Sequence, residues 1–386
     1  MAGSIQHRKD RPKPWRARYR GPDGRQHSKS FARKIDAERW IRFELAAADR
    51  GIWVDPAAGD VTFGNWVEAW FAGLTVKPKT AAGYRSLLES RILPTFGAIA
   101  LRRITPAMVR AWVADMADEG LSASRQRQAR LVLHAALDLA VTDGLIGRNP
   151  TDNVKVAATR PREQRYLTAE QVATLAAACE SLQDGAGTLI RVLAYSGLRW
   201  GEAVALRASA VDVLGRRIKV KESATLVNGQ LVWGTPKNHR TRTVLIPRFL
   251  ADRLGAHMAG LDSDALMFTS PHGQPLRTPN FSRRVWRPAV TACELGDLRV
   301  HDLRHTAASL MVSTGASIKA VQRSLGHASA SITLDRYSHL YDEDLEALAD
   351  ALDERFAEAD ADSGVAQVWP KPVAKVIELP NTISES

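Results

Sequence analysis

A seventeen-residue stretch, NPTDNVKVAATRPREQR (149–165), divides the chain into two parts that must fold differently. It is polar, basic and carries Pro150 and Pro161, and neither a helical nor a strand apolar period runs through it, so it reads as a linker. Upstream, 61–145 reads as helical throughout. Asn65–Gly73 carries Trp66 and Trp70 at helical spacing, and Thr80–Leu93 is amphipathic and expected to stop at Pro94. Thr105 and Pro106 are an N-cap and first-position pair, opening a helix that ends at Gly120. The longest helix, Ser122–Asp143, places Leu131, Leu133, Leu137 and Val141 on its apolar side, with Gly144 closing it. Its first turns carry Arg125, Arg127 and Arg130, where free N–H groups favour phosphates.

Downstream, Thr168 and Gln171 form a capping-box pattern, and helices run to about Arg207. Strands are expected at Arg217–Lys221, on both sides of Asn228-Gly229, a strong hairpin signal, and at Thr241–Ile246. Helices return from Arg248 to about Glu358, followed by an irregular acidic tail with a strand-like piece, Val373–Leu379. At the other end, Trp15–Arg20 (WRARYR) alternates with period two, GPDG marks a turn, Arg25–Phe31 returns, and Ser4–Arg8 adds a third strand. A helix then spans Asp36–Asp49, with Ile35, Trp40, Phe43 and Leu45 as apolar anchors. Arg16, Arg18 and Arg20 share one face of their strand, a row suited to a DNA groove or to a solvated edge.

The pattern is that of a multidomain, mainly α chain. A small N-terminal β-plus-helix module (1–58) precedes a helical bundle (61–148) and the linker (149–165). A mixed α+β domain with a small antiparallel sheet (166–345) and a tail (346–386) complete it. No run approaches the roughly 18 apolar residues of a membrane span, and the start has no apolar core resembling a secretory signal. Two cysteines, Cys179 and Cys293, exclude a disulfide framework or cysteine-rich zinc module and point to a reducing, cytoplasmic setting. The net charge of +11 is unevenly spread. The tail from Asp342 holds 12 acidic and 3 basic residues, leaving 50 basic against 30 acidic before it. A body this basic attracts a polyanion, and nucleic acid is the commonest.

Four segments of the mixed domain combine unusual residues: SGLRWGE (196–202), TPKNHR (235–240), HDLRH (301–305), and LGH (325–327) followed by RYSH (336–339). Each alone is ordinary, a cap with a surface arginine, a solvated lysine or a capped histidine. Their joint identity, order and spacing are informative. Jointly they resemble the tyrosine recombinase, or phage integrase, family, strongly over about 165–345. Residues 61–145 and the N-terminal module are more loosely similar to that family's core-binding and arm-binding domains. The family's catalytic order of Arg, Lys, His-x-x-Arg, His or Trp, and Tyr falls on Arg199, Lys237, His301 with Arg304, His327 and Tyr337.

That chemistry needs these residue types. Opening a phosphodiester requires a nucleophile, cations for the non-bridging oxygens and a proton for the leaving oxygen. Arg199 and Arg304 offer permanently charged planar forks, and His301 and Arg304 are three apart on an expected helix. Lys237 is the candidate general acid, His301 the base or relay for the tyrosine, and His327 a hydrogen-bond donor to phosphate. Glu202 is a supporting carboxylate that orients a guanidinium or a histidine. Tyr337 is the nucleophile by the resemblance; spacing alone leaves Tyr341, one turn on, as an alternative. A phosphotyrosine conserves the broken bond's energy, so no ATP, metal or cofactor is expected, in keeping with a sequence without a P-loop or a carboxylate cluster.

The resemblance implies a site-specific integrase working through a covalent 3'-phosphotyrosine, inserting a phage or mobile element and, with partners, excising it. It implies double-stranded DNA attachment sites, a homo-tetramer on synapsed DNA, and an excisionase and a host DNA-bending protein as candidate partners, with no membrane. The acidic tail is expected to pack in trans on a neighbour. Rival readings are a type IB topoisomerase-like relaxing enzyme, a non-catalytic DNA-binding regulator and a metal-dependent nuclease.

Overall fold

The computed structural model describes residues 3–51, 53–55, 57–158, 164–236, 241–327 and 329–337, with 349–350, 352–354 and 356–357 beyond them. Lys237, Tyr341, Val373–Leu379 and most of the tail expected to pack in trans lie outside the described residues. Among those described, no helix is long and apolar enough to cross a membrane. By contacts the chain forms two units, one of 1–163 with 225–232, the other of 164–224 with 233–386.

The first unit opens with an antiparallel sheet, β1 (Gly3–His7), β2 (Trp15–Arg20) and β3 (Gln26–Phe31), with β2 central. Period-two alternation sends Ala17 and Tyr19 inward, against helix α1 (Lys34–Asp49), and Arg16, Arg18 and Arg20 to the opposite face. Trp40 and Leu45 pack on that small core around Ala37 and Ile41. Ile35 and Phe43, expected as anchors, are instead exposed, Phe43 by 68%. A 3.6-residue period carries them off the buried stripe of Ala37 and Ile41, which packs with Ala17 of the sheet.

The bundle follows, with α2 (Phe63–Ala72), α3 (Pro78–Leu87), α4 (Leu93–Phe96), α5 (Pro106–Asp118) and α6 (Ala123–Thr142). Thr62, Thr105 and Ser122 cap α2, α5 and α6 by accepting from the backbone three residues on. Pro94 does not stop the chain. A π-turn, Leu88–Ile92, widens the helix before it and buries Leu88 and Ile92, and Pro94 sits in the first turn of α4. Leu133 and Leu137 are buried, each worth about 1.5–3 kcal/mol, whereas Leu131 is 52% exposed and its place is taken by Val132 and Ala136.

The first part of the expected linker is not loose. Asn149, Thr151 and Val154 are buried on α6. The Asn149 amide donates to the His134 carbonyl at 3.0 Å, and the Thr151 hydroxyl lies 2.7 Å from His134 Nδ1. Polar side chains here satisfy buried backbone, so polarity signalled a docked segment rather than a solvated one.

In the second unit α7 (Ala169–Leu182), with the Thr168–Gln171 capping box formed as read, lies along α8 (Ala186–Ser196), which is buried on nearly every side. Helix α9 (Trp200–Val204) leads into the sheet of β4 (Val211–Asp212), β5 (Arg217–Val220) and, later in the chain, β8 (Arg242–Leu245). Between them in sequence β6 (Ser223–Val227) and β7 (Gln230–Gly234) form the hairpin, whose residues 225–232 group with the first unit, with Asn228 and Gly229 both at positive φ as a type I′ turn demands. Then come α10 (Arg248–His257), α11 (Thr278–Phe281), α12 (Arg287–Ala292), α13 (Asp302–Ser313), α14 (Ile318–Leu325) and α15 (Ala330–Tyr337). The architecture is the expected multidomain, mainly α one with small antiparallel sheets.

Candidate active site

The site is assembled where α8, α13 and α14 end or begin. Helix α8 stops at Gly197, whose φ of +64° is left-handed and whose α-carbon lies against Leu325; a methyl there would stand 2.4 Å from that side chain. The turn delivers Arg199 to the N-cap of α9. Its backbone N–H and its Nη1 each donate to the Glu202 carboxylate at 2.9 Å. Glu202 is only 1% exposed and also receives both terminal nitrogens of Arg242, at 2.9 and 2.6 Å. Burial alone would raise the Glu202 pKa, but the Arg242 fork and then Arg199 hold it down at about 2.

Arg304, in the first turn of α13, is buried and donates Nη1 to the Gly197 carbonyl at 2.5 Å and Nη2 to that of Leu325 at 2.6 Å. Burial and the neighbouring Arg199 lower its pKa to about 9, so it remains charged at neutral pH. His301 is the N-cap of α13 rather than inside the helix, and is exposed. Crowding by protein, then Arg304, lowers its pKa.

Tyr337 closes the set. Its side chain is fully buried with Leu325, Val321, Ala308 and Val312, and its hydroxyl lies 2.9 Å from His305 Nδ1. Burial pushes the phenol up to about 12 against the opposing charges of Arg304 and Arg336. A neutral phenol donates to a neutral imidazole, which puts the His305 proton on Nε2. His327 stacks on the Tyr337 ring at 6.5 Å between centroids, and its Nδ1 sits 2.9 Å from the Thr333 hydroxyl. If that hydroxyl donates, His327 keeps its Nε2 proton free for an acceptor. His301 and His305 meet edge to face at 5.5 Å. Arg199 pairs with Glu202, Arg304 and Arg199 bond the successive carbonyls of Leu325 and Gly326 that precede His327, and His327, Tyr337, His305 and His301 follow one another by ring and hydrogen-bond contacts.

A profile described as the Phage integrase family matches residues 165–344, and profiles of its N-terminal SAM-like domain and its N-terminal domain match 62–117 and 3–50. A Mycobacterium tuberculosis protein named as the prophage phiRv2 integrase is 34% identical over 340 residues, covering 84% of this chain and 88% of that protein. The chain belongs to the phage integrase family of tyrosine recombinases. Its fold is shared with the Tn1549 transposon integrase solved with transposon right end DNA: 20% identity, TM-score 0.64, 75% of this chain and 100% of that one. It is also shared with a lambda integrase solved as a tetramer on a Holliday junction: 22% identity, TM-score 0.55, 82% and 91%.

Of the sequence candidates, Arg199 pairs with Glu202, Arg199 and Arg304 both bond the end of α14, His301, His327 and Tyr337 are linked by ring and hydrogen-bond contacts through His305, and Lys237 lies outside the described residues. Two participants escaped the sequence reading. His305, the last residue of HDLRH, lies one helical turn after His301, and its part in the site shows only in its contact with Tyr337. Arg242 belonged to no motif; its signal is an inward-facing arginine in a strand whose next inward residue is the buried Val244.

The DNA-binding candidates divide. Arg16, Arg18 and Arg20 do share one sheet face, with Gln6, Ser28 and Ser30 as cross-strand neighbours. Arg16 bonds Ser28 at 2.9 Å, Arg18 bonds Gln6 at 3.2 Å and Arg20 bonds the Gly24 carbonyl. Arg125, Arg127 and Arg130 do not form an open row. Arg127 and Arg130 donate to the carbonyls of Ala157 and Thr151, holding the segment after α6, while Arg125 bonds Gln128. Orphan carbonyls of a docked segment compete for those guanidiniums.

Burial lowers both His305 and His327 from their ordinary 6.5 to about 4, helped by His301 and then Arg336 at His305 and by Arg304 and then Arg336 at His327. Between those values the unfolded chain takes up protons that the folded chain refuses. The stability they contribute is therefore complete above pH 6.5 and is lost as pH falls through about 4. Denaturant unfolding is expected to show a lower midpoint at pH 4.5 than at pH 7, and a His305→Gln, His327→Gln double variant should lose part of that difference. Equal wild-type midpoints would contradict the assignment.

Proposed function

We propose that this protein is a site-specific recombinase that cuts and reseals DNA through a covalent 3'-phosphotyrosine on Tyr337, integrating a phage or mobile element. The observation that carries the reading is the buried phenol bonded to a neutral imidazole, stacked on His327 and within the field of the Arg304 and Arg336 guanidiniums. In the proposed reaction the Tyr337 oxygen bonds to phosphorus as the bond from phosphorus to the 5' oxygen breaks. The phenolic proton passes to His305 and on to His301, and Lys237 gives a proton to the departing sugar oxygen. Arg199 and Arg304 balance charge on the non-bridging oxygens, and His327 donates from Nε2. Resealing is the reverse, with a new 5' hydroxyl as attacker. Tyr337 has no exposed surface here, so α15 must shift for the phenol to meet a phosphate.

Double-stranded attachment sites and a tetramer are the partners we infer, supported by relatives solved on transposon-end DNA and on a Holliday junction. The arginine face of β2 is the proposed arm-site contact. The tail after Asp342 is the proposed contact in trans, and excisionase and host bending protein are candidate accessories. The test is a nicked half-site whose terminal fragment diffuses away, incubated in excess chelator. A covalent protein–DNA adduct is expected. Cleavage that leaves no adduct, or that stops on chelation, would overturn the reading in favour of a metal-dependent nuclease. Paired full sites should be synapsed and exchanged; relaxation of supercoils without exchange would mark a type IB topoisomerase-like enzyme.

A further inference from the structure

We propose that Arg242 is a positioning residue for Arg199, acting through Glu202 and through the C-terminal end of α14; this rests on the recombinase reading above. A buried carboxylate needs a cation. Were Arg199 its sole partner, the two would close into a neutral pair and the guanidinium would be committed to Glu202. The geometry avoids this. Arg242 spends both terminal nitrogens on the two Glu202 oxygens, at 2.9 and 2.6 Å, while Arg199 gives a single side-chain bond. The Arg242 side chain is 12% exposed and that of Arg199 is 25% exposed. Arg242 thus offsets the carboxylate from the less exposed side, and Arg199, the more exposed of the two, keeps net positive charge.

A second set of contacts ties the same arginine to the His327 segment. The last carbonyls of a helix lack partners within it and carry partial negative charge. At the end of α14 three successive carbonyls each receive a different arginine: Ser324 from Arg242 Nε at 3.4 Å, Leu325 from Arg304 at 2.6 Å and Gly326 from Arg199 at 3.5 Å. Arg242 lies so close to Gly326 that a methyl on that α-carbon would stand 2.8 Å from its Cδ, and Gly326 also has the left-handed φ of +65°. The glycine of the Leu-Gly-His triplet therefore serves a backbone turn and the passage of Arg242 together.

The test uses the full chain and the nicked half-site, reading attachment rate, DNA affinity and thermal midpoint. Arg242→Met is expected to slow attachment about 30- to 100-fold with affinity changed less than about threefold. Arg242→Lys, which keeps the charge but cannot bond both oxygens, should fall between it and wild type. The decisive variant is Arg242→Met with Glu202→Gln, which removes the carboxylate that would capture Arg199. It should attach about tenfold faster than Arg242→Met alone. Wild-type attachment by Arg242→Met, or a double variant no faster than the single, would overturn the proposal. The two failures are separable: if the wild type forms no adduct, the recombinase reading fails, whereas a normal adduct in wild type and Arg242→Met fails only this proposal.

Discussion

Tyr337→Phe should bind attachment-site DNA as the wild type does and form no covalent adduct, a loss of about 10⁴-fold or more. The ring contributes packing against Leu325, Val321, Ala308 and Val312, and phenylalanine keeps it. What disappears is the hydroxyl and its 2.9 Å bond to His305, at a stability cost of about 1 kcal/mol. Binding and chemistry are thereby separated in one substitution. A DNA-binding regulator would show no attachment in either protein, and an adduct formed by the phenylalanine variant would place the nucleophile elsewhere. Gel-shift affinity and denaturing-gel adduct yield measure the two quantities on the same sample.

Arg304→Lys is expected to slow attachment by about 10²- to 10³-fold and to lower the thermal midpoint. The guanidinium bridges two elements, with one nitrogen on Gly197 at the end of α8 and another on Leu325 at the end of α14. A lysine ammonium cannot place donors at both, so one buried carbonyl loses its partner, costing about 1–3 kcal/mol. The charge survives but its planar presentation does not. A lysine variant attaching within tenfold of wild type would mean that Arg304 matters as a cation alone and that the fork is dispensable.

Local signals with one physical meaning were legible in the sequence. The Thr168–Gln171 box, the Thr105–Pro106 start and the Asn228-Gly229 turn each satisfy backbone groups in one way, and the structure forms all three. Patterns whose meaning depends on neighbours misled. Pro94 ends a helix unless a π-turn rephases the chain ahead of it, and Leu131 joins a stripe only if α6 presents that side to the bundle. Asn149 and the α6 arginines Arg127 and Arg130 looked free because their partners, the His134 carbonyl and the carbonyls of Ala157 and Thr151, lie 15 to 30 residues away. The motif residues of the site were found by order and spacing. Arg242 and His305 were missed as participants, since what marks them is contact with Glu202 and Tyr337 at separations of 40 and 32 residues.

The most direct measurement of the central claim is peptide mapping of the adduct trapped on a nicked half-site. Protease digestion of the DNA-linked protein, followed by mass spectrometry of the nucleotide-bearing peptide, is expected to locate the phosphodiester on Tyr337. Attachment at Tyr341 or at any other residue, with Tyr337 unmodified, would contradict the account.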